Sequence, residues 1–224
     1  LYLEGLYKRI NIAFGDITDF EFVERVIGEY EVETVFHLAA QTQVKVGNAS
    51  PISTFNSNIK GTWNVLEAVR LHRQRIRSLV VASSDKAYGD QKVLPYSEET
   101  PLQGRHPYDV SKSCADLIAQ SYWYSLNLPV SITRCGNLFG PGDLNFNRII
   151  PGTILSLMKN EQPVIRSDGQ YIRNYFYIKD AANAYLSISE NTEKTMGQAF
   201  NVGSQERYSV VDLVKIITEV MNLD

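Results

Sequence analysis

The run Leu79-Val80-Val81-Ala82 ends abruptly in Ser83-Ser84-Asp85-Lys86. Four apolar residues with no polar residue alternating among them describe a strand covered on both faces, the signature of a parallel sheet. A parallel strand cannot return by a hairpin. It needs a crossover, usually a helix, and this requirement restricts the fold more than any other feature of the chain. Strand-like runs at Ile10–Phe14, Thr34–His37, Leu79–Ser83, Val130–Arg134 and Ala199–Val202 alternate with helical patterns at Phe20–Tyr30, Thr54–Leu71, Tyr108–Leu126 and Val210–Met221. Such alternation predicts an α/β fold with a parallel sheet covered on both faces. Thr18-Asp19-Phe20-Glu21 reads as a capping box opening the first helix. After Arg134 the pattern loosens: Gly140-Pro141-Gly142-Asp143 marks a turn, Ile149–Lys159 a helix, and Pro163–Arg166 with Tyr171–Tyr177 a small antiparallel pair.

At 224 residues and 44% hydrophobic content the chain can bury a full α/β core. No run approaches the ~18 apolar residues of a membrane span, and no signal-peptide pattern opens the sequence. A net charge of −3 gives no electrostatic case for nucleic acid. Arg70, Arg73, Arg75 and Arg77 cluster, and read as a solvated helix end. Cys114 and Cys135 make no disulfide framework, and His37, His72 and His106 lack ligand spacing. The expectation is a cytoplasmic protein without metal, membrane or nucleic-acid partner.

Tyr108-Asp109-Val110-Ser111-Lys112 opens the third helical pattern. Tyr108 and Lys112 stand just over one turn apart and so share a face. An ammonium beside a phenol favours the phenolate and lowers a pKa that is ordinarily ~10, so such a tyrosine can take a proton from an alcohol near neutral pH. The spacing occurs three times: Tyr88/Lys92 falls in a loop and Tyr175/Lys179 at the end of an aromatic run. Only Tyr108/Lys112 begins a long helix after a strand ending in hydroxyl and charged side chains. No G-x-G-x-x-G or G-x-x-G-x-x-G run holds a pyrophosphate at a helix N-terminus. Leu1-Tyr2-Leu3-Glu4 reads instead as the inside of a helix or loop. Either the fold lacks that site or the chain is a fragment without its first β-α-β unit; the second is the expectation.

Together these residues resemble the extended short-chain dehydrogenase/reductase family, in its nucleotide-sugar epimerase and dehydratase branch, over essentially the whole chain. Gly15-Asp16-Ile17-Thr18-Asp19 is similar to the family's adenine-contacting turn, and His37-Leu38-Ala39-Ala40-Gln41 to the strand end beneath the cofactor. Asn58-Ile59-Lys60-Gly61-Thr62 resembles its helix with a structural asparagine, and Arg134-Cys135-Gly136-Asn137 the segment meeting nicotinamide and substrate. Asp168-Gly169-Gln170-Tyr171-Ile172-Arg173-Asn174 resembles a stretch whose arginine holds the substrate diphosphate, although Asn174 replaces the usual aspartate. The resemblance implies a Rossmann-like doubly wound parallel sheet and NAD as cofactor. It divides the chain into a partial dinucleotide-binding domain (1–140), substrate-binding segments (141–198), and a returning strand with its helix (199–224). It implies cofactor contacts from Asp16, Ile17, Leu38, Ala39, Ala40, Tyr108, Lys112 and Cys135. Substrate contacts fall to Gln41, Ser84, Asn137, Arg148 and Arg173, and a homodimer would pair through Thr54–Leu71 and Tyr108–Leu126. Plainer readings stand beside these: Asp16 as a helix cap, Leu38-Ala39-Ala40 as packing, Asn137 as a turn residue, Arg173 as a surface ion-pair partner, and both cysteines as packing residues.

Within that branch the catalytic set would be Ser84, Asp85, Lys86, Tyr108 and Lys112. Oxidation at sugar C4 uses Tyr108 as base, Ser84 to steady the oxygen and Lys112 on the nicotinamide ribose. A 4-epimerase needs nothing further. A 4,6-dehydratase needs two more proton-transfer groups, which Asp85 and Lys86 supply. Asp85-Lys86 resembles the CDP-glucose 4,6-dehydratases, although some inverting UDP-sugar dehydratases share it; Ala39-Ala40-Gln41, the Gly136-Asn137 to Gly142-Asp143 run with Arg148-Ile149-Ile150-Pro151, and Ile165-Arg166 resemble the CDP-glucose group as well. The expectation is a nucleotide-sugar 4,6-dehydratase. The alternatives are a 4-epimerase or 4-ketoreductase of nucleotide sugars, or a non-catalytic cofactor-binding member of the family.

Overall fold

The computed structural model describes residues 5–221, which form two compact units. The opening tetrapeptide Leu1-Tyr2-Leu3-Glu4 lies outside the described residues. Of the described residues, the first unit comprises 5–134 with 188–200, the second 135–187 with 201–221.

In the first unit β1 (Thr34–His37), β2 (Ser78–Ala82) and β3 (Val130–Cys135) run parallel, with Thr34 opposite Ser78 and Leu79 opposite Val130. The sheet order continues from β3 to β7 (Ala199–Val202). The helix α4 (Gly61–Leu71) lies in the crossover from β1 to β2 and α5 (Pro107–Leu126) in that from β2 to β3, while α1 (Phe20–Glu29) precedes β1 and packs on α4. Alternation along β2 and β3 sends Leu79, Val81, Val130 and Ile132 into one core with Val23 and Ile27 of α1, Val65, Leu66 and Val69 of α4, and Ala119 of α5. Each such side chain contributes about 1.5–3 kcal/mol when fully buried, so this layer fixes the height and tilt of α5 against β2.

Three local readings are corrected here. Residues 10–14 are not a strand; Ile10, Ile12 and Phe14 stand exposed, because among the described residues no strand lies alongside to take their backbone groups. The first helix is capped by Asp19, which accepts from Phe22 N at 3.2 Å, one residue later than the capping box implied. Thr18 N is instead taken by Asp16 Oδ1 at 2.8 Å. The run Thr54–Leu71 is not one α-helix: α2 (Val44–Ala49) precedes it, α3 (Pro51–Phe55) passes into a π-helical segment, Asn56–Lys60, and α4 follows. Gly61 N caps Asn56 O, five residues back, as a π turn requires. The basic cluster matches its bland reading, since Arg70 pairs with Glu67, Arg75 with Glu31 and Arg77 with Glu33.

In the second unit β4 (Asn137–Phe139) pairs in parallel with β6 (Tyr175–Tyr177), and β5 (Ile172–Arg173) pairs antiparallel with β8 (Tyr208–Ser209). Pro163–Arg166 forms no strand, so the expected antiparallel pair does not exist; Tyr171–Tyr177 is divided between two other partners. The helix α6 (Ile149–Met158) packs on α9 (Val210–Val220) within the second unit. The helix α7 (Ile178–Glu190) begins in the second unit, and α8 (Thr192–Thr195) belongs to the first.

Candidate active site

The first unit gathers the five expected catalytic residues at the carboxyl end of β2, where ligands bind in open parallel sheets. Pro107 occupies the first turn of α5, which suits its missing N–H and leaves Tyr108 at the helix entrance. Tyr108 is buried, and its backbone lies against Gly47 of α2: a Cβ there would be 3.7 Å from both Tyr108 Cβ and N. One turn on, the buried Lys112 donates from Nζ to Ala82 O at 2.8 Å. That bond ties the tyrosine's helix to the last residue of β2, two positions before Ser84.

Ser84 caps a single 3-10 turn, Asp85–Tyr88. Its Oγ accepts from Lys86 N at 3.2 Å and donates to Asp85 Oδ1 at 3.1 Å. Lys86 Nζ lies 3.6 Å from Asp85 Oδ2, with the two side chains 41% and 28% exposed. The turn is pinned to α5 by Ser113 Oγ, which donates to Ala87 O at 2.8 Å. It is closed by Gly89 at φ +65°, where a side chain would strike Gln103 O. Asp109, the neighbour of Tyr108, is pushed above the usual carboxylate range by burial, with the His106 and Lys86 charges pulling the other way.

A buried polar chain holds this end of the sheet. Asn58, in the π segment, accepts from Gln41 N at 2.7 Å and donates to Gln41 O at 3.0 Å and to Ser111 Oγ at 2.8 Å. Ser111 in turn donates to Tyr108 O at 2.6 Å. Thr62 donates to Asn58 O at 2.6 Å, so His37 Nε2, 2.9 Å from Thr62 Oγ1, acts as the donor to it. Burial, with the Lys112 charge adding to it, lowers the His37 pKa to about 4, which keeps the ring neutral. Behind the turn, Arg134 grips Asp116 through Nε to Oδ2 at 2.9 Å and Nη2 to Oδ1 at 3.0 Å. The same guanidinium donates from Nη1 to Tyr88 OH and to Glu98 O, both at 2.9 Å. Burial alone would lower the Arg134 pKa, but Asp116 and then Tyr88 outweigh it and raise it well above the ordinary value. Sequence reasoning missed Asp116, although Tyr108, Lys112 and Asp116 lie at i, i+4 and i+8 on one helix face.

The competing Tyr/Lys spacings take other work. Tyr88 is fully buried and serves Arg134. Tyr175 and Lys179 sit on different elements, and burial raises the Tyr175 pKa, away from what a base needs.

Of the expected cofactor residues, Asp16 is an exposed carboxylate whose pKa is lowered, first of all by the Thr18 backbone N–H. Such an anion suits an amino donor such as adenine. Ile17 is anchored through its carbonyl by Asn64 Nδ2 at 3.0 Å. Leu38 and Ala39 are exposed at the end of β1, as a surface under a flat ring would be, and Ala40 is half-buried. Lys112 carries the donors a ribose diol requires. These groups fit the adenine, ribose and nicotinamide ends of a dinucleotide; among the described residues no glycine-rich turn serves the pyrophosphate. Gln41 spends both ends of its amide on Gln43, at 3.0 and 2.7 Å.

The remaining expected residues belong to the second unit. Cys135 is buried with Sγ 3.8 Å from Tyr185 OH. Asn137 Nδ2 donates to Asn174 O at 3.2 Å. Arg148 pairs with Asp143 at 3.2 Å. Arg173 is exposed, donates to Ile172 O and lies over the Tyr171 ring at 5.2 Å. Among the described residues no helix is long and apolar enough to cross a membrane.

The model of the family described as GDP-mannose 4,6 dehydratase matches residues 3–223. A human (Homo sapiens) dTDP-D-glucose 4,6-dehydratase is 31% identical over 221 residues, spanning 98% of this chain and 62% of that protein. A CDP-glucose 4,6-dehydratase of Salmonella typhimurium is 34% identical over 199 residues, spanning 84% of this chain and 55% of that protein. The chain therefore spans roughly three fifths of the length of these relatives. Among solved structures, a dTDP-glucose 4,6-dehydratase from Bacillus anthracis in complex with NAD superposes with a TM-score of 0.82 at 29% identity, covering 93% of this chain and 63% of that one.

Proposed function

The chain belongs to the GDP-mannose 4,6 dehydratase family, and from that premise we propose that it acts as a nucleotide-sugar 4,6-dehydratase working with NAD. The observation that carries this reading is the Asp85–Lys86 ion pair, set on a one-turn helix directly after Ser84 and fastened to the helix of Tyr108. A 4-epimerase has no use for two additional proton-transfer groups at that place. The relatives named as CDP- and dTDP-glucose 4,6-dehydratases, and the related structure holding NAD, support the same reading.

Asp16 would hold the adenine end of NAD, Lys112 the nicotinamide ribose, and Leu38, Ala39 and Ala40 the surface under the rings. NAD, when bound, would supply the hydride acceptor for sugar C4 and the hydride donor for C6. The chain's own residues move the protons. Tyr108 takes the proton of the C4 hydroxyl. Ser84 donates to the same sugar oxygen, and to do so its hydroxyl must leave Asp85 Oδ1, which it meets at 3.1 Å. Substrate arrival therefore releases Asp85. As the sugar displaces water from the pair, desolvation favours the neutral forms and the proton passes from Lys86 to Asp85. With the ketone formed at C4, the neutral Lys86 amine removes the C5 proton and the Asp85 carboxylic acid gives its proton to the departing C6 hydroxyl, so that water leaves and the charged pair is restored. Arg173, Arg148, Asn137 and Gln41 are the substrate contacts in this reading, with Arg173 on the diphosphate.

The same reading includes a cytoplasmic homodimer. Exposed Trp63 and Leu71 on α4, and Leu117, Tyr124 and Leu126 on α5, supply apolar surface for two-fold pairing of helices. A strictly monomeric full-length protein in sedimentation equilibrium refutes the dimer. The function is tested by incubating full-length protein with CDP-, dTDP-, GDP- and UDP-sugars and following products by NMR. A 4-keto-6-deoxy sugar is expected; a C4 epimer, or no conversion of any of them, overturns the reading.

A further inference from the structure

Asn174 ties three separate segments of the second unit to one side chain and one carbonyl. Its carboxamide Nδ2 donates to Ser204 O and, at 3.1 Å, to Glu206 O, while Oδ1 accepts from Ser204 N at 3.1 Å. Its backbone carbonyl accepts twice from Asn137, from N at 3.3 Å and from Nδ2 at 3.2 Å. One residue thus joins the start of β4, the junction between β5 and β6, and the segment 203–206 that leads into β8. The protein backbone closes in around it: a Cβ on Gly203 would stand 2.7 Å from Asn174 Oδ1, and one on Gly136 3.2 Å from the same atom. A side chain at Gly203 would therefore displace the Asn174 carboxamide from this place.

The chemistry of these contacts is selective. Two of the three side-chain bonds require a donor facing carbonyl oxygens, and one requires an acceptor. A carboxamide meets all three; a carboxylate of the same shape meets one and turns a negative charge on two carbonyl dipoles. The adjacent residue is Arg173, whose strand partner across β5–β8 is Tyr208. The segment clamped by Asn174 is therefore the connection that brings β8 to the strand of Arg173.

We propose that Asn174 is a positioning residue for substrate binding: its neutral carboxamide orders segment 203–206 and so sets Arg173 for an anionic nucleoside diphosphate group and Asn137 for a donor elsewhere on the substrate. The role of Arg173 in this inference rests on the function proposed above; the ordering of 203–206 does not. Asn137, with Nδ2 committed to Asn174 O, presents its carbonyl oxygen and so serves a donor on the substrate.

The experiment uses full-length Asn174→Asp, which preserves shape, and Asn174→Ala, which removes all three side-chain bonds. Amide hydrogen exchange should accelerate about tenfold or more at Ser204 in Asn174→Ala, since its N–H loses its acceptor. For the nucleotide sugar that the wild type converts, KM should rise about tenfold in both variants with kcat within about twofold. The Kd of dTDP and of CDP, titrated separately, should weaken in parallel. Unaltered exchange at Ser204 overturns the clamp. Faster exchange with KM unchanged, or a loss confined to kcat, overturns the positioning role. If the wild type converts no nucleotide sugar, the proposed function fails by itself, and the exchange and the dTDP and CDP titrations still decide whether Asn174 orders the segment for a diphosphate.

Discussion

Replacing Asp116 by alanine strands a deeply buried cation, Arg134. Arg134 and Asp116 side chains are 4% and 0% exposed, and their two contacts at 2.9 and 3.0 Å are charge-assisted. Bonds of that type are each worth about 1.5–3 kcal/mol, and removing one member of a buried pair costs about 3–5 kcal/mol because the other charge remains without water. The folding equilibrium should therefore fall by roughly two to nearly four orders of magnitude. Urea denaturation of the full-length protein reads this as a lower midpoint with an unchanged slope. The double variant Asp116→Leu/Arg134→Met removes both charges while filling similar space. It should recover most of the loss, since an apolar replacement of a whole buried pair is close to neutral. The reasoning is refuted if Asp116→Ala costs less than about 1 kcal/mol, or if the two substitutions simply add.

Tyr108→Phe keeps the ring and removes the proton acceptor; turnover should drop by about 10²–10⁴ with nucleotide-sugar affinity nearly intact, and unchanged turnover would take Tyr108 out of the mechanism. Lys86→Met should still oxidise C4 yet lose exchange of the C5 hydrogen with solvent deuterium and form no 4-keto-6-deoxy product; full activity would sink the base assignment. His37 binds its proton near pH 4 when folded but near 6.5 when unfolded. Between those values the unfolded chain holds more protons, so stability is complete above pH 6.5 and falls as the pH drops toward 4. The His37→Gln variant should lack that component, roughly 3 kcal/mol in the difference between the two proteins' pH profiles, and identical profiles would refute it.

The strands β2 and β3 and the helix α5 were legible because burial on both faces and a 3.6-residue stripe are properties of local sequence. Ser84, Tyr108 and Lys112 were legible for the same reason, since one strand end and one helix start determine their places. What the sequence could not express was pairing. Ile10, Ile12 and Phe14 alternate as a strand should, yet a strand exists only beside another. The two- and three-residue strands around Arg173 are defined wholly by distant partners, Tyr208–Ser209 and Asn137–Phe139. Asn174 could be flagged only as an oddity of the resemblance, because its partners in 203–206 are thirty residues away. Asp116 was more accessible: a charge on the stripe of Tyr108 and Lys112 asks for a buried counter-ion.

The π-helical turn at Asn56–Lys60 has a consequence for how this chain can change over generations. Such a turn carries one residue more than an α-turn and absorbs it locally, so the helix beyond keeps its facing. Deleting one residue of 56–60 would close it to an ordinary α-turn and leave Val65, Leu66 and Val69 on the core they fill, while taking Asn58 off Gln41 and Ser111. A second inserted residue could not be absorbed in the same turn and would rotate those core residues by about 100°. The extra residue therefore belongs to the polar chain and not to the core, and lineages that keep the Asn58 bonds should keep the residue count of this turn while its exposed positions vary.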